Sequence, residues 1–453
     1  MIRKTLFITM LCWLTVAGSG CLPFPEVDEL AFVVTLIIDK SDINKIKVGV
    51  KIPVPRLVGK VQGGAIGGGA GQEQLATITS TDAPTLLEGI TAIQLFTGRQ
   101  LNLEHARILL VGEALAREGI ETEITSIMRY PQTRSNMNVI IVRGDAVRLS
   151  IEDQPEIEAN IARFVNLQAR SVDLNGLSIA TQVSEFYHGL RGIGHDTVTG
   201  IWALNEKVLA ARNATDREMA GGPTAPTENA DADIAQKQEQ RYGAAETGEA
   251  PEPLLRTTGS YEAGELPREG GNAVEWVGLA VFHKDRMVGE LNGNESIAYR
   301  LLSGRLARAT LTVGNTKTPS SLVTLEIMQA RYPRIKITST ADGQINIDVG
   351  LYVEANLLSM IRPENEESTT ILADFEEAVA NSLQAWIDTT LKKTQAWGSD
   401  IYRFGEHYRR NFLTWPEWEK FNWSDHFKQA KVHVDIKVSI RRTGLITQTG
   451  PSK

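Results

Sequence analysis

Apolar and polar positions along this 453-residue chain separate strands from helices before any motif is sought. Residues 30–38 are almost all apolar, the pattern of a strand buried on both faces. Ile46, Val48, Val50, Ile52 and Val54 then alternate with Lys47, Gly49 and Lys51, which reads as a half-buried strand. The glycine-rich stretch 63–71 reverses the chain, and 75–81 is a further strand. Leu86, Leu87, Ile90 and Ile93 stand at helical spacing within 83–96, with Asp82 placed as N-cap. Strands at 106–111 and 137–142 follow, interleaved with helices at 113–117 (stopped by Gly119) and 121–128. Helical patterns at 157–168 and 181–190 close the series. Such alternation argues for an α/β amino-terminal domain over 21–204.

Between 205 and 272 the pattern lapses. These 68 residues hold five prolines, eight glycines and only seven residues from Val, Ile, Leu and Met, with a net charge of −6. So little apolar surface cannot offset the entropy of ordering, so the stretch reads as a disordered acidic insertion. Order returns with a hairpin, 274–282 and 287–291, and a helix capped by Asn294, giving a small middle unit over 273–305. From 306 to 453 a long hairpin turns at Ala341-Asp342-Gly343. An amphipathic helix then carries Leu372, Phe375, Val379, Leu383, Ile387 and Leu391 on one stripe, and a final strand carries Val432, Val434, Ile436, Val438 and Ile440. That describes an α+β carboxy-terminal domain, an antiparallel sheet covered by a long helix. The expected fold is therefore mixed α/β and α+β, and multidomain.

The amino terminus changes the picture most. Arg3 and Lys4 precede an apolar stretch, 6–17, and then Gly18-Ser19-Gly20-Cys21. This is an export signal, too short for the ~20 residues of a permanent bilayer span. Ser19-Gly20-Cys21 resembles a bacterial lipobox, which implies cleavage between Gly20 and Cys21 and acylation of Cys21. Cys12 leaves with the signal 1–20, so Cys21 has no disulfide partner. The whole chain carries −8, and removal of the signal makes this −10. That acidity argues against general nucleic-acid binding.

Catalytic patterns are missing. The seven histidines offer no His-Glu-x-x-His, and there is neither a Gly-x-Ser-x-Gly elbow nor a P-loop. His188 and His195, with Asp196, are the nearest approach to a metal site, and a poor one. No metal, cofactor or catalytic residue is expected. Five of the eight tryptophans fall between 386 and 423, which reads first as packing of a long helix and its return segment, with one or two rings left for a partner.

Several stretches together resemble the Ger(x)C family, the lipoprotein C subunits of bacterial spore germinant receptors. They are Glu29 to Lys40, Gly98-Arg99-Gln100-Leu101, His105-Ala106-Arg107, Val111 to Gly119, and Arg129 to Asn136. Gly278 to Phe282 and Met287 to Leu291 continue the likeness. So do Asp400-Ile401-Tyr402-Arg403-Phe404-Gly405-Glu406, the Trp418 and Trp423 region, and Ile440 to Gly444. The resemblance implies a non-enzymatic subunit anchored through Cys21 to the outer face of the spore inner membrane. It would stand beside two integral-membrane receptor subunits, one of them permease-like. A solute-binding lipoprotein serving a membrane transporter is the alternative.

Overall fold

A computed structural model describes residues 26–54, 76–155, 158, 160–219, 257–314, 322–361 and 369–442. The elements of the first half are β1 (Leu30–Phe32), β2 (Thr35–Lys40), β3 (Ile46–Pro53), β4 (Ala76–Ala83), α1 (Leu86–Thr97), β5 (Gln100–Asn102) and β6 (Ile108–Gly112). There follow α2 (Glu113–Glu118), α3 (Glu121–Arg129), β7 (Asn138–Val142), α4 (Ala146–Glu152), α5 (Ile161–Asn175), β8 (Thr181–Gln182), α6 (Val183–Leu190), β9 (Val198–Leu204) and α7 (Glu206–Met219). The second half contains β10 (Val274–His283), β11 (Arg286–Leu291), α8 (Gly293–Leu302), β12 (Ala309–Gly314), β13 (Leu322–Gln329), β14 (Arg334–Ser339) and β15 (Ile345–Ile361). It ends with α9 (Thr369–Trp397), α10 (Phe404–Tyr408), α11 (Trp415–Phe421), α12 (Trp423–Gln429) and β16 (Lys431–Arg442).

A nine-stranded sheet organises the first half in the order β11-β10-β9-β7-β6-β2-β3-β4, with β8 beside β7. Its centre is parallel, β2 with β6, β6 with β7 and β7 with β9, and its flanks are antiparallel. Leu36 and Ile38 face one core with α1, α3 and α6, while Ile37 faces the other with α4 and α5. Cover on both faces explains the unbroken apolar run. That run is nevertheless two strands. β1 pairs with β5 in a separate two-stranded sheet, and the chain enters the main sheet only after Val33 and Val34.

Several boundaries differ from expectation. Thr85, not Asp82, caps α1, because β4 stays paired with β3 through Ala83, and Asp82 accepts the Ser41 hydroxyl at 2.7 Å. Asn292, not Asn294, caps α8 in a reciprocal box with Glu295. Residues 273–305 do not stand apart: β10 and β11 complete the large sheet, and α8 packs into the core of the second half.

Both ends of the 205–272 stretch are ordered. It opens as α7, with Val208 and Leu209 buried against Ala273. Its return, from 257, is held by the Glu275 carboxylate, which accepts from Asn205 Nδ2 (2.7 Å), Gly264 N (2.8 Å) and Arg268 Nε (2.8 Å). Two apolar contacts and one buried acid supply what composition alone did not reveal. Residues 220–256 and the glycine stretch 63–71 lie outside the described residues.

In the second half β13 and β14 run end to end along one edge of β15, and β16 occupies its other edge. Gly343, at φ 84°, lets the chain turn between β14 and β15. β16 lies parallel to β15, so this sheet is mixed and not purely antiparallel. The cause is α9, which carries the chain back across the sheet in a crossover. The stripe Phe375, Val379, Leu383, Ile387 and Leu391 meets Ile347, Val349, Leu351 and Val353 in one core.

Candidate functional site

A buried carboxylate with four donors lies where the two halves meet. α9 ends at Trp397, Gly398 (φ 69°) turns the chain, and Ser399 donates its hydroxyl to Phe282 O on β10 at 2.6 Å. The next residue, Asp400, is 1% exposed. One carboxylate oxygen accepts from Tyr402 N (3.1 Å) and Phe404 N (3.3 Å); the other accepts from Gly405 N (2.7 Å) and Trp423 Nε1 (2.8 Å). Arg403 takes a left-handed conformation, φ 65°, to bring these amides round one side chain. Burial pushes the Asp400 carboxyl up to about 7, against the pull of its four N–H donors.

The 191–197 connection between α6 and β9 docks onto this turn. Asp196 N donates to Asp400 O at 2.8 Å, and the Asp196 carboxylate holds the β10–β11 turn through His283 Nδ1 (3.2 Å) and Lys284 N (2.9 Å). His195 Nδ1 lies 3.0 Å from Glu406 Oε1, and burial holds its imidazole below the usual histidine range. Trp418 Nε1 donates to Ile193 O at 3.1 Å. Gly194 (φ 97°) has no room for a side chain, since a Cβ would overlap the Trp418 ring. A Cβ on Gly405 would likewise overlap Gly194 O. Three segments far apart in sequence thus interlock at backbone contact distance.

Aromatic packing seals the junction. Trp418, Trp423, Phe404 and Phe427 are buried, with ring centroids 5.3 Å apart for Phe412–Trp418 and 6.0 Å for Trp418–Trp423. Trp415 alone of the tryptophans in this segment is 43% exposed, with the Arg409 guanidinium 4.4 Å from its ring centroid. The cleft beside the junction, between Glu185, His195, Arg305 and Arg403, has a free volume of about 20 Å³, room for one water. A wider open groove of about 530 Å³ runs between α9 and α12, past Asp388, Lys392 and Lys428. Its amide, Gln395, is committed to Phe427 O and Ala430 O.

A parallel sheet offers another place for a ligand, outside the carboxyl ends of the strands where the strand order reverses. Here that point falls between β2 and β6, and Asp39 fills it. Its carboxylate accepts from Ala146 N at 2.9 Å and Lys40 N at 2.7 Å, and a Cβ on Gly112 would overlap it. The chain's own side chain occupies the crevice.

Of the residues singled out from the sequence, Gly20 and Cys21 lie outside the described residues. His188 and His195 do not converge: His188 is exposed beside the Tyr187 ring, while His195 turns to Glu406. Among the described residues no group of three or more His, Cys, Asp or Glu is placed to hold a metal, and no helix is long and apolar enough to cross a membrane. The sequence reading missed the role of Asp400. The available signal was an aspartate two residues past the helix-ending Gly398, a place where an Asx turn to the amide two residues on forms.

Residues 24–202 match the family described as spore germination protein N-terminal domain, and residues 277–444 match that described as spore germination B3/GerAC-like, C-terminal. The chain is similar to YfkR of Bacillus subtilis (strain 168), named as a candidate spore germination protein, at 22% identity over 99% of both chains. It is similar to spore germination protein KC of the same organism, at 22% identity over 98% of this chain and 97% of that one. The crystal structure of the GerBC protein aligns with a TM-score of 0.46 at 12% identity, covering 89% of this chain and 96% of that one. With both domain descriptions matched in order, the chain belongs to the GerAC-like family of spore germination proteins.

Proposed function

We propose that this protein is the lipid-tethered, non-enzymatic subunit of a nutrient germinant receptor, a scaffold that couples two membrane-embedded subunits, one of them permease-like. Cys21 is the acylated residue, freed by cleavage after Gly20, and the folded part stands on the outer face of the spore inner membrane. The observation that carries this reading is the Asp400 junction. It joins the α/β half to the mixed-sheet half through Asp196 N to Asp400 O, Trp418 Nε1 to Ile193 O and Ser399 Oγ to Phe282 O, while the Asp400 carboxylate and the aromatic layer fix the second half's side of that contact. A body linked in this way suits the transmission of position between partners. A solute-binding lipoprotein instead closes two lobes about a hinge, and hinges are built from segments that can move.

The test is affinity purification of the tagged chain from spore membranes after mild detergent extraction. Co-purification of two integral-membrane proteins in fixed proportion supports the scaffold reading. Isolation of the chain alone, with a small nutrient bound, would replace it with the solute-binding one.

A further inference from the structure

The geometry points to a membrane-contacting tip on the amino-terminal half: the last turn of α1, with Leu95 and Phe96, seated in the bilayer interface beside the lipid tether. The inference rests on acylation of Cys21, and deepens it by saying which part of the protein meets the lipid.

Leu95 is 84% exposed and Phe96 59%, whereas Leu86, Ile90 and Ile93 of the same helix are buried in the core. Nothing in the fold of α1 requires two large apolar side chains in water at its end. The position of that end selects the occupant. Immediately after α1 and Gly98, β5 pairs in parallel with β1, with Gln100 opposite Leu30. The segments preceding those two strands therefore emerge side by side: the tip of α1, and Val27, itself 72% exposed. Glu26 is five residues from Cys21, which five peptide units can separate by no more than about 18 Å. An acyl chain on Cys21 thus brings bilayer to the neighbourhood of Leu95 and Phe96 whatever path residues 21–25 follow. Large apolar side chains at a tethered end are the elements that enter the interface.

Electrostatics does not hold the tip. In the segments flanking β1 and β5, Arg99 and Arg107 are outnumbered by Glu26, Asp28, Glu29 and Glu104. Contact should therefore be equal, within about twofold, on neutral and anionic lipid.

The full chain is expressed with its signal, so that the mass of the amino-terminal peptide and flotation with vesicles report the anchor. Leu95→Cys and, as control, Ile43→Cys each introduce one free thiol. Ile43 is also 84% exposed, but lies in the β2–β3 turn at the far end of β2. Reaction with a charged, membrane-impermeant maleimide is timed on preformed phosphatidylcholine and phosphatidylcholine/phosphatidylglycerol vesicles, and on a lipid-free chain started at Leu22, which has neither the signal with Cys12 nor Cys21. Leu95→Cys should be slowed at least about tenfold by the vesicles, while Ile43→Cys changes less than about twofold. Equal rates for both on vesicle-bound, acylated protein overturn the tip while leaving the anchor intact. Protection that needs co-purified membrane subunits overturns it too, in favour of a protein partner. Absence of acylation, seen in the mass and the flotation, removes the anchor and this inference with it.

Discussion

The indole N–H of Trp423 donates to the buried Asp400 carboxylate at 2.8 Å, tying the start of α12 to the turn that follows α9. Three backbone amides share the same carboxylate, so one side chain organises the end of the long helix, the α10 turn and the aromatic layer above them. Asp400→Ala leaves four donors without an acceptor in a site with little room for water. It should lower unfolding free energy by about 3 kcal/mol or more, read by denaturant titration. A change within experimental error would mean that the junction contributes little.

Protonation of Asp400 makes stability depend on pH. Its carboxyl is raised from 3.8 in the ordinary state to about 7 in the fold, so between those values the folded state binds a proton that the unfolded state does not. The stabilisation is fully present below about pH 4 and is lost as pH rises through about 7. Comparison of wild type with Asp400→Asn across pH 4–8 isolates this group: their stability difference should change across the window and level off above it. A pH-independent difference would show that the four donors hold the carboxyl ionised throughout.

The buried pair Lys51 and Asp153 offers a second test of packing. Lys51 Nζ bonds Asp153 Oδ2 at 3.0 Å, Asp153 O at 2.9 Å and Ser150 O at 3.1 Å, pinning the end of α4 to β3. Lys51→Met alone removes the countercharge and leaves the buried Asp153 carboxylate with only the Asn272 amide (2.8 Å) as side-chain partner, and should cost about 3–5 kcal/mol in thermal or denaturant unfolding. Lys51→Met with Asp153→Leu should recover a large part of that loss, because two matched apolar side chains replace two desolvated charges.

The filled crevice at Asp39 predicts a coupled pair. Gly112→Ala pushes a methyl into the Asp39 carboxylate and should destabilise by about 1–3 kcal/mol. Asp39→Ala in the same chain removes the clash, so the double variant should lose less than the sum of the two singles. Additive losses would show that the strain lies elsewhere.

Much of this architecture was legible in the chain. Alternation located β3 and the β14–β15 hairpin, and the spacing from Phe375 to Leu391 located α9. What escaped depends on partners distant in sequence. The split of 30–38 into β1 and β2 needs β5 as a second partner, and the parallel placement of β16 follows from the return path of α9. The two ends of the 205–272 stretch are ordered by Glu275, which neither composition nor periodicity could identify. The tryptophan-rich segment reads as packing, and Trp418 and Trp423 are buried accordingly. Asp400 lies in the stretch 400–406 that resembles the family, but its four donors converge only when the turn closes.

The anchor has its own assay. A chain started at Leu22, without the signal and without Cys21, should move from the detergent-rich to the aqueous phase in a phase partition, because a folded part without acyl chains lacks stable attachment. Retention in the detergent phase would contradict acylation at this residue.

Deletion of the gene in a spore former, followed by exposure of the spores to a panel of single nutrients, tests the account most directly. The receptor-subunit reading predicts loss of germination and of nutrient-triggered ion release for at least one nutrient, with growth and sporulation unchanged. Normal germination to every nutrient tested would contradict it.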